Sequence, residues 1–93
     1  MRQAVRLQPA SVQTHSDLAD LLAAQGQIAQ AAEEYKQVLL LKPDQFDANL
    51  GLGLALLQEH KIEEARLHLE KAALSPDPDQ SQAANRALIQ LGN

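Results

Sequence analysis

Pro9 and Pro43 mark equivalent points in the chain, and most of the residues around them recur at the same offset. Arg2-Gln3-Ala4-Val5-Arg6-Leu7-Gln8 answers Lys36-Gln37-Val38-Leu39-Leu40-Leu41-Lys42. Leu18-Ala19 answers Leu52-Gly53, Leu22 answers Leu56, Ile28 answers Ile62, and Ala31 answers Ala65. A fixed period of this length marks one small structural unit stacked on copies of itself, because such a unit cannot bury its apolar face alone. The expected fold is a solenoid, whose product is a surface rather than a catalytic pocket.

The units should be helical. Apolar residues make up 45% of the 93, with one Tyr, one Phe and no Trp. Most of them are Ala and Leu, which are strong helix formers, while the β-branched and aromatic residues that strands favour are few. The expected class is therefore all-α, an α-α superhelix of antiparallel helix hairpins. The net charge is −4 and the eight Lys and Arg residues are scattered. The clustered basic face that nucleic acid requires is missing, so no nucleic-acid partner is expected. There is no cysteine, hence no disulfide frame and no thiolate chemistry. No run of ~18 apolar residues exists, so no membrane insertion is expected. Residues 1–10 carry basic residues without the apolar stretch of a signal peptide. A soluble chain is expected, its compartment left open.

The pattern divides the chain into segments. Residues 1–9 read as the end of a truncated unit, with Ala4 and Leu7 on one side and Pro9 as terminator. The simplest reading is an excerpt from a longer array. Residues 12–45 form the first full unit. Its first helix spans about Ser11 or Val12 to Gln25, with Ser11 as a candidate cap and Gly26 as a left-handed stop. Its second helix spans about Ile28 to Leu41, with an apolar stripe through Ala31, Ala32, Tyr35 and Val38. Residues 46–79 repeat the plan, with helices from about Phe46 to Glu59, capped near Asp44, and Ile62 to Leu74. His60 stands where Gly26 stood, a position suited to positive φ. After Ser75-Pro76-Asp77-Pro78, Asp79 or Ser81 can cap a last helix over about residues 80–91. That helix has Ala83, Ala84, Ala87, Leu88 and Leu91 on one side and Gln, Asn and Arg on the other, the make-up of a solenoid's capping helix.

These residues resemble the tetratricopeptide repeat (TPR) family. Its signature is W-x₂-L-G-x₂-Y, then A-x₃-F, then P, in one period. The chain reads His15-x₂-Leu18-Ala19-x₂-Leu22, Ala31-x₃-Tyr35, Pro43, and then Asn49-x₂-Leu52-Gly53-x₂-Leu56, Ala65-x₃-Leu69. His15 and Asn49 depart from the large aromatic, Leu22 and Leu56 from the Tyr, and Asp77 falls where the second proline belongs. The packing physics agrees with the signature: Ala19, Gly53, Ala31 and Ala65 are small where helices of such a repeat should meet closely, and a larger side chain there would cost ~1–3 kcal/mol.

The resemblance implies a concave groove that binds an extended peptide or a partner's helix. Its groove positions fall on Gln13, Ser16, Asp20, Ala23 and Ala24, and on Asp47, Leu50, Leu54, Leu57 and Gln58. It also implies no carboxylate clamp, since the matching positions hold Ser16, Asp20 and Gly51 with no lysine beside them. Leu50, Leu52, Leu54, Leu56 and Leu57 make one helix apolar nearly all round, and such a helix must be covered on every side. A neighbouring helix of the array could supply the cover, or a partner or a second copy of this chain could.

Other patterns carry little chemistry. His60, Glu64 and His68 span two turns without a third clustered ligand, so a turn residue and a solvated surface residue are expected, and no metal. His15 should be partly buried between helices in its aromatic slot. Glu33-Glu34 and Glu63-Glu64 diverge by ~100° and read as a solvated convex face. No catalytic constellation, nucleotide motif or cofactor signature is present. The expected role is a non-enzymatic protein-interaction scaffold taking a partner with apolar anchors. The alternative is self-association into a homodimer or larger oligomer, and a repeat-bearing accessory domain of an enzyme is a third reading that these residues do not support.

Overall fold

The computed structural model describes residues 12–92. The readings made for residues 1–9 and for Ser11 lie outside that range. Five α-helices follow one another: α1 (Val12–Ala24), α2 (Ile28–Leu41), α3 (Phe46–Gln58), α4 (Ile62–Ala72) and α5 (Pro78–Gly92). There is no strand among the described residues. The helices form an elongated stack measuring 51 × 27 × 19 Å. Sequential helices pack on one another, and α3 additionally touches α1 and α5. Helix α3 is thus central among the described residues, with the four other described helices against it.

The turns inside the two hairpins follow one chemical plan. After α1, the Gly26 N–H donates to the Ala23 carbonyl and the Gln27 N–H to that of Leu22, with Gly26 at φ 81°. After α3, the His60 N–H donates to Leu57 and the Lys61 N–H to Leu56, with His60 at φ 65°. Both pairs of bonds make the left-handed closure that satisfies the last carbonyls of a helix. His60 therefore holds a conformation that glycine adopts more readily. His60→Gly is expected to raise the unfolding free energy by about 0.5 kcal/mol in urea titration. A loss of stability would show that the imidazole contributes contacts that outweigh its backbone strain.

The other helix ends correct two expectations. Asp44 does not cap α3: Gln45 takes the N-cap position with no side-chain bond. The start of α5 is set by Asp77, whose Oδ1 accepts the Asp79 N–H at 2.9 Å, rather than by Asp79 or Ser81. Pro78 then occupies the first helical position, where its missing N–H costs nothing. The buried Ser75 ties this break together, accepting the Asp77 N–H and donating to Gln80 Oε1.

The core is made largely of alanine. Ala19, Ala31, Ala48, Ala65, Ala72 and Ala84 are wholly enclosed, and Val38, Leu52, Leu56 and Leu69 supply its bulk. Small side chains let the helix axes approach, and Gly53 shows how closely. A Cβ placed there would lie 2.7 Å from Leu69 Cγ and 3.3 Å from the Leu69 backbone nitrogen. The small residues at the repeat's crossing positions are thus packing requirements, as their spacing implied.

Candidate interaction face

Helices α1 and α5 each pack on α3, and the groove positions of the sequence lie on α1 and α3. The five leucines of α3 are sorted by its neighbours. Leu52 and Leu56 are buried, Leu50 and Leu57 are half-buried against the core, and Leu54 keeps 38% of its surface. The all-round apolarity of α3 thus follows mostly from its central place, and Leu54 is the side chain left facing out. On α5, Leu88 and Leu91 stand one repeat after Leu54 and Leu57, half-buried against the same core. A reading of α5 as a cap alone misses this continuation, although the repeat offset itself marks it.

The remaining groove positions differ in what they present. Gln13, Asp20, Ala24, Asp47 and Gln58 are exposed and Ala23 is half-buried. Ser16 is a correction: it is buried, and its Oγ has no hydrogen-bond partner among the described residues, so it presents no surface to a partner. Gln13 Nε2 donates to Asp17 Oδ1 at 2.8 Å, one turn along α1.

Asp20 is also tied into the fold. The Tyr35 hydroxyl on α2 donates to Asp20 Oδ1 at 2.6 Å. The Tyr35 ring, itself buried, covers Gly51 of α3 so closely that no Cβ fits beneath it. The sequence pattern marks Gly51 only as a groove position, and the structure makes it the floor of an aromatic contact between successive hairpins. Burial, then the bond and charge of Asp20, then the charge of Asp47 hold the phenol well above its ordinary range. Tyr35 therefore stays a neutral donor, and both carboxylates lie near enough to act on it.

Polar pairs join the two helices of each hairpin. His15 Nδ1 lies 2.7 Å from Glu34 Oε1, joining α1 to α2. Asn49 Oδ1 lies 2.9 Å from His68 Nδ1, joining α3 to α4. The two pairs are equivalent under the repeat, with the histidine on opposite helices. His15 is partly buried between helices, as its aromatic slot implied. Glu34 and His68, by contrast, are not the solvated residues expected: both are half-buried and paired. The Asn49 amide donates to the Pro43 and Gln45 carbonyls, which leaves Oδ1 for His68 and assigns the Nδ1 proton to the imidazole. Burial lowers the His68 pKa, helped by Lys71 and Lys36 and opposed by Glu64. An open recess of about 430 Å³ between α2 and α4 is lined by Leu52, Leu56, Lys36, Glu64 and His68, among others.

No group of three or more metal-ligating side chains occurs among the described residues. Nor is any of their helices long and apolar enough to cross a membrane. Residues 16–83 match the tetratricopeptide repeat family. Cellulose synthase operon protein C of Pseudomonas fluorescens (strain SBW25) is 40% identical over 80 residues, covering 77% of this chain. The chain spans only 6% of that relative's length.

Proposed function

The chain belongs to the tetratricopeptide repeat family, and on that footing we propose that it is a non-catalytic scaffold binding a peptide or helix of a partner protein across the concave face of α1, α3 and α5. Repeats of this family generally mediate protein–protein interaction. The observation that carries the reading is Leu54, left outward on the one helix that every other helix covers. Leu50 and Leu57 flank it, so a partner's apolar side chain would meet a preformed surface whose backing is already packed. A few such anchors dominate the affinity of an interface, while exposed polar groups such as Gln13, Asp20, Asp47 and Gln58 set its orientation. Ala23 would allow close approach. Residues 12–45 and 46–79 act here as the two full units, and α5 both caps them and extends the face through Leu88 and Leu91. The likeness to a much longer relative supports the repeat and says nothing of the partner.

The test is a displayed peptide library selected on the chain and counter-screened on Leu54→Glu. The variant should keep its helical circular dichroism, and selected peptides should bind it at least about 30-fold more weakly, as expected for loss of one anchor of ~2 kcal/mol. Unfolding of Leu54→Glu would place Leu54 in the core instead. Unchanged binding would remove the groove.

A specific observation favours self-association as a second reading. Leu18 and Leu21 are 40% and 54% exposed, whereas Leu52 and Ala55, one repeat later, are 2% and 4% exposed beneath their neighbours. That apolar edge of α1 could be covered by another copy. Sedimentation across concentration, repeated with Leu21→Glu, separates the readings: the variant abolishes an assembly built on that edge and leaves peptide binding intact.

A further inference from the structure

The apolar face is bordered by charge of one sign. Asp20 on α1 and Asp47 on α3 are exposed. Asp20 accepts the Tyr35 hydroxyl, and the Tyr35 ring lies against Gly51, one turn along the same face of α3 from Asp47, so both carboxylates border one ring. Neither pairs with a cation among the described residues, whose ion pairs are His15–Glu34, Lys36–Glu33 and Lys61–Glu59. The described cations sit elsewhere. Lys36 is on α2, Lys42 and Lys61 are beside turns, and Arg66 and Lys71 are on α4. Arg86 on α5 takes the register of buried Leu52, a different side of the helix from Leu54. Asp47 also lies in the first turn of α3, where an acid complements the helix dipole. That role leaves its charge facing solvent.

We propose that the segment this face accepts is a cationic amphipathic helix, with a Lys or Arg seated between Asp20 and Asp47 and apolar side chains on Leu54 and Leu57. The inference rests on the groove reading above and adds the chemistry of its occupant. Two carboxylates bordering one apolar face suit a guanidinium or ammonium, and the aliphatic stem of either can lie along leucine. Asp47 and Leu54 are two turns apart on one helix face, ~10 Å along its axis. A partner helix would therefore carry its cation and its apolar anchor about seven residues apart. Acidic segments are excluded by the same charges. Asp20 already holds the Tyr35 hydroxyl, so its position is set before a partner arrives.

The experiment uses three fluorescent synthetic helices of one length and one leucine spacing, with Lys, Gln or Glu on the polar face, titrated by anisotropy. The Lys peptide should bind at least tenfold more tightly than the Gln peptide, and the Glu peptide most weakly. The Lys preference should shrink as salt rises. It should collapse in Asp20→Asn/Asp47→Asn and survive in Glu63→Gln/Glu70→Gln, which makes the same charge change on α4. Equal binding of the Lys and Gln peptides, or an equal loss in the α4 variant, overturns the proposal while leaving the groove in place. Leu54→Ser is assayed with the uncharged Gln peptide to test the groove alone. If that variant binds it as the parent does, or if no peptide binds the parent, the groove reading fails as well.

Discussion

Gly51→Ala is expected to destabilise the chain by about 3 kcal/mol, even though alanine is the better helix former by ~1 kcal/mol at an interior position. The added methyl has no room beneath the Tyr35 ring, which is buried and anchored through its hydroxyl to Asp20. Overpacking of this kind costs ~1–3 kcal/mol, and a displaced ring also gives up a hydrogen bond to a charged acceptor, ~1.5–3 kcal/mol. These terms outweigh the propensity gain. For a domain of this size the midpoint of thermal unfolding should fall by roughly 12–24 °C. Tyr35→Leu made together with Gly51→Ala should cost less than the sum of the two single changes, since one side chain's displacement is then counted once. A Gly51→Ala chain more stable than the parent would mean that Tyr35 does not pack over α3.

Asn49→Leu is expected to cost about 3 kcal/mol despite its similar volume. Asn49 is only 1% exposed, and its amide serves the Pro43 carbonyl at 3.2 Å, the Gln45 carbonyl at 3.1 Å and His68 Nδ1 at 2.9 Å. The Gln45 carbonyl keeps its bond from the Asn49 backbone N–H, but the Pro43 carbonyl and the imidazole are left without partners. Each such loss costs ~1–3 kcal/mol, only partly offset by the apolar gain. The same site carries a pH dependence. His68 titrates below its ordinary value of 6.5 in the folded chain. Well above pH 6.5 it is neutral in both states and adds no pH dependence. As pH falls below that value the unfolded chain takes up a proton that the folded chain resists, so stability drops until the lowered folded pKa is passed. His68→Gln should flatten this part of the stability profile relative to the parent. Identical profiles from pH 7 to about 5 would show that His68 is as free to ionise as in the unfolded chain.

Much of this architecture is legible without coordinates. The second helix of the first unit reads from sequence as Ile28–Leu41, and the structure has the same ends. The reason is local: Gly26 stops one helix and Pro43 stops the next, whatever surrounds them. The crossing position at Gly53 is legible because the period places a small residue wherever two helices touch. The capping of α5 is not. Asp77, Asp79 and Ser81 are all chemically competent, and in the structure the Asp77 N–H is held by the buried Ser75 hydroxyl while its carboxylate accepts the Asp79 N–H. Gly51 escapes the sequence for a different reason. Its partner Tyr35 lies on the preceding helix, beyond the reach of any pattern along α3.

The amino-acid order alone determined the helix hairpins, their left-handed turns and the stacking of like on like, because the backbone freedom of glycine, the tolerance of histidine for positive φ, the fixed φ of proline and the spacing of small apolar residues act over a few positions. The tertiary structure alone decided which polar groups meet and which leucine stays outside. Glu34 and His68 look like solvated helix residues until a neighbouring helix supplies His15 or Asn49 as a partner. Leu50, Leu52, Leu54, Leu56 and Leu57 are alike in sequence, and only the four helices around α3 distinguish the buried from the exposed. Burial and hydrogen bonding are properties of neighbours, and a side chain's neighbours come from segments distant along the chain.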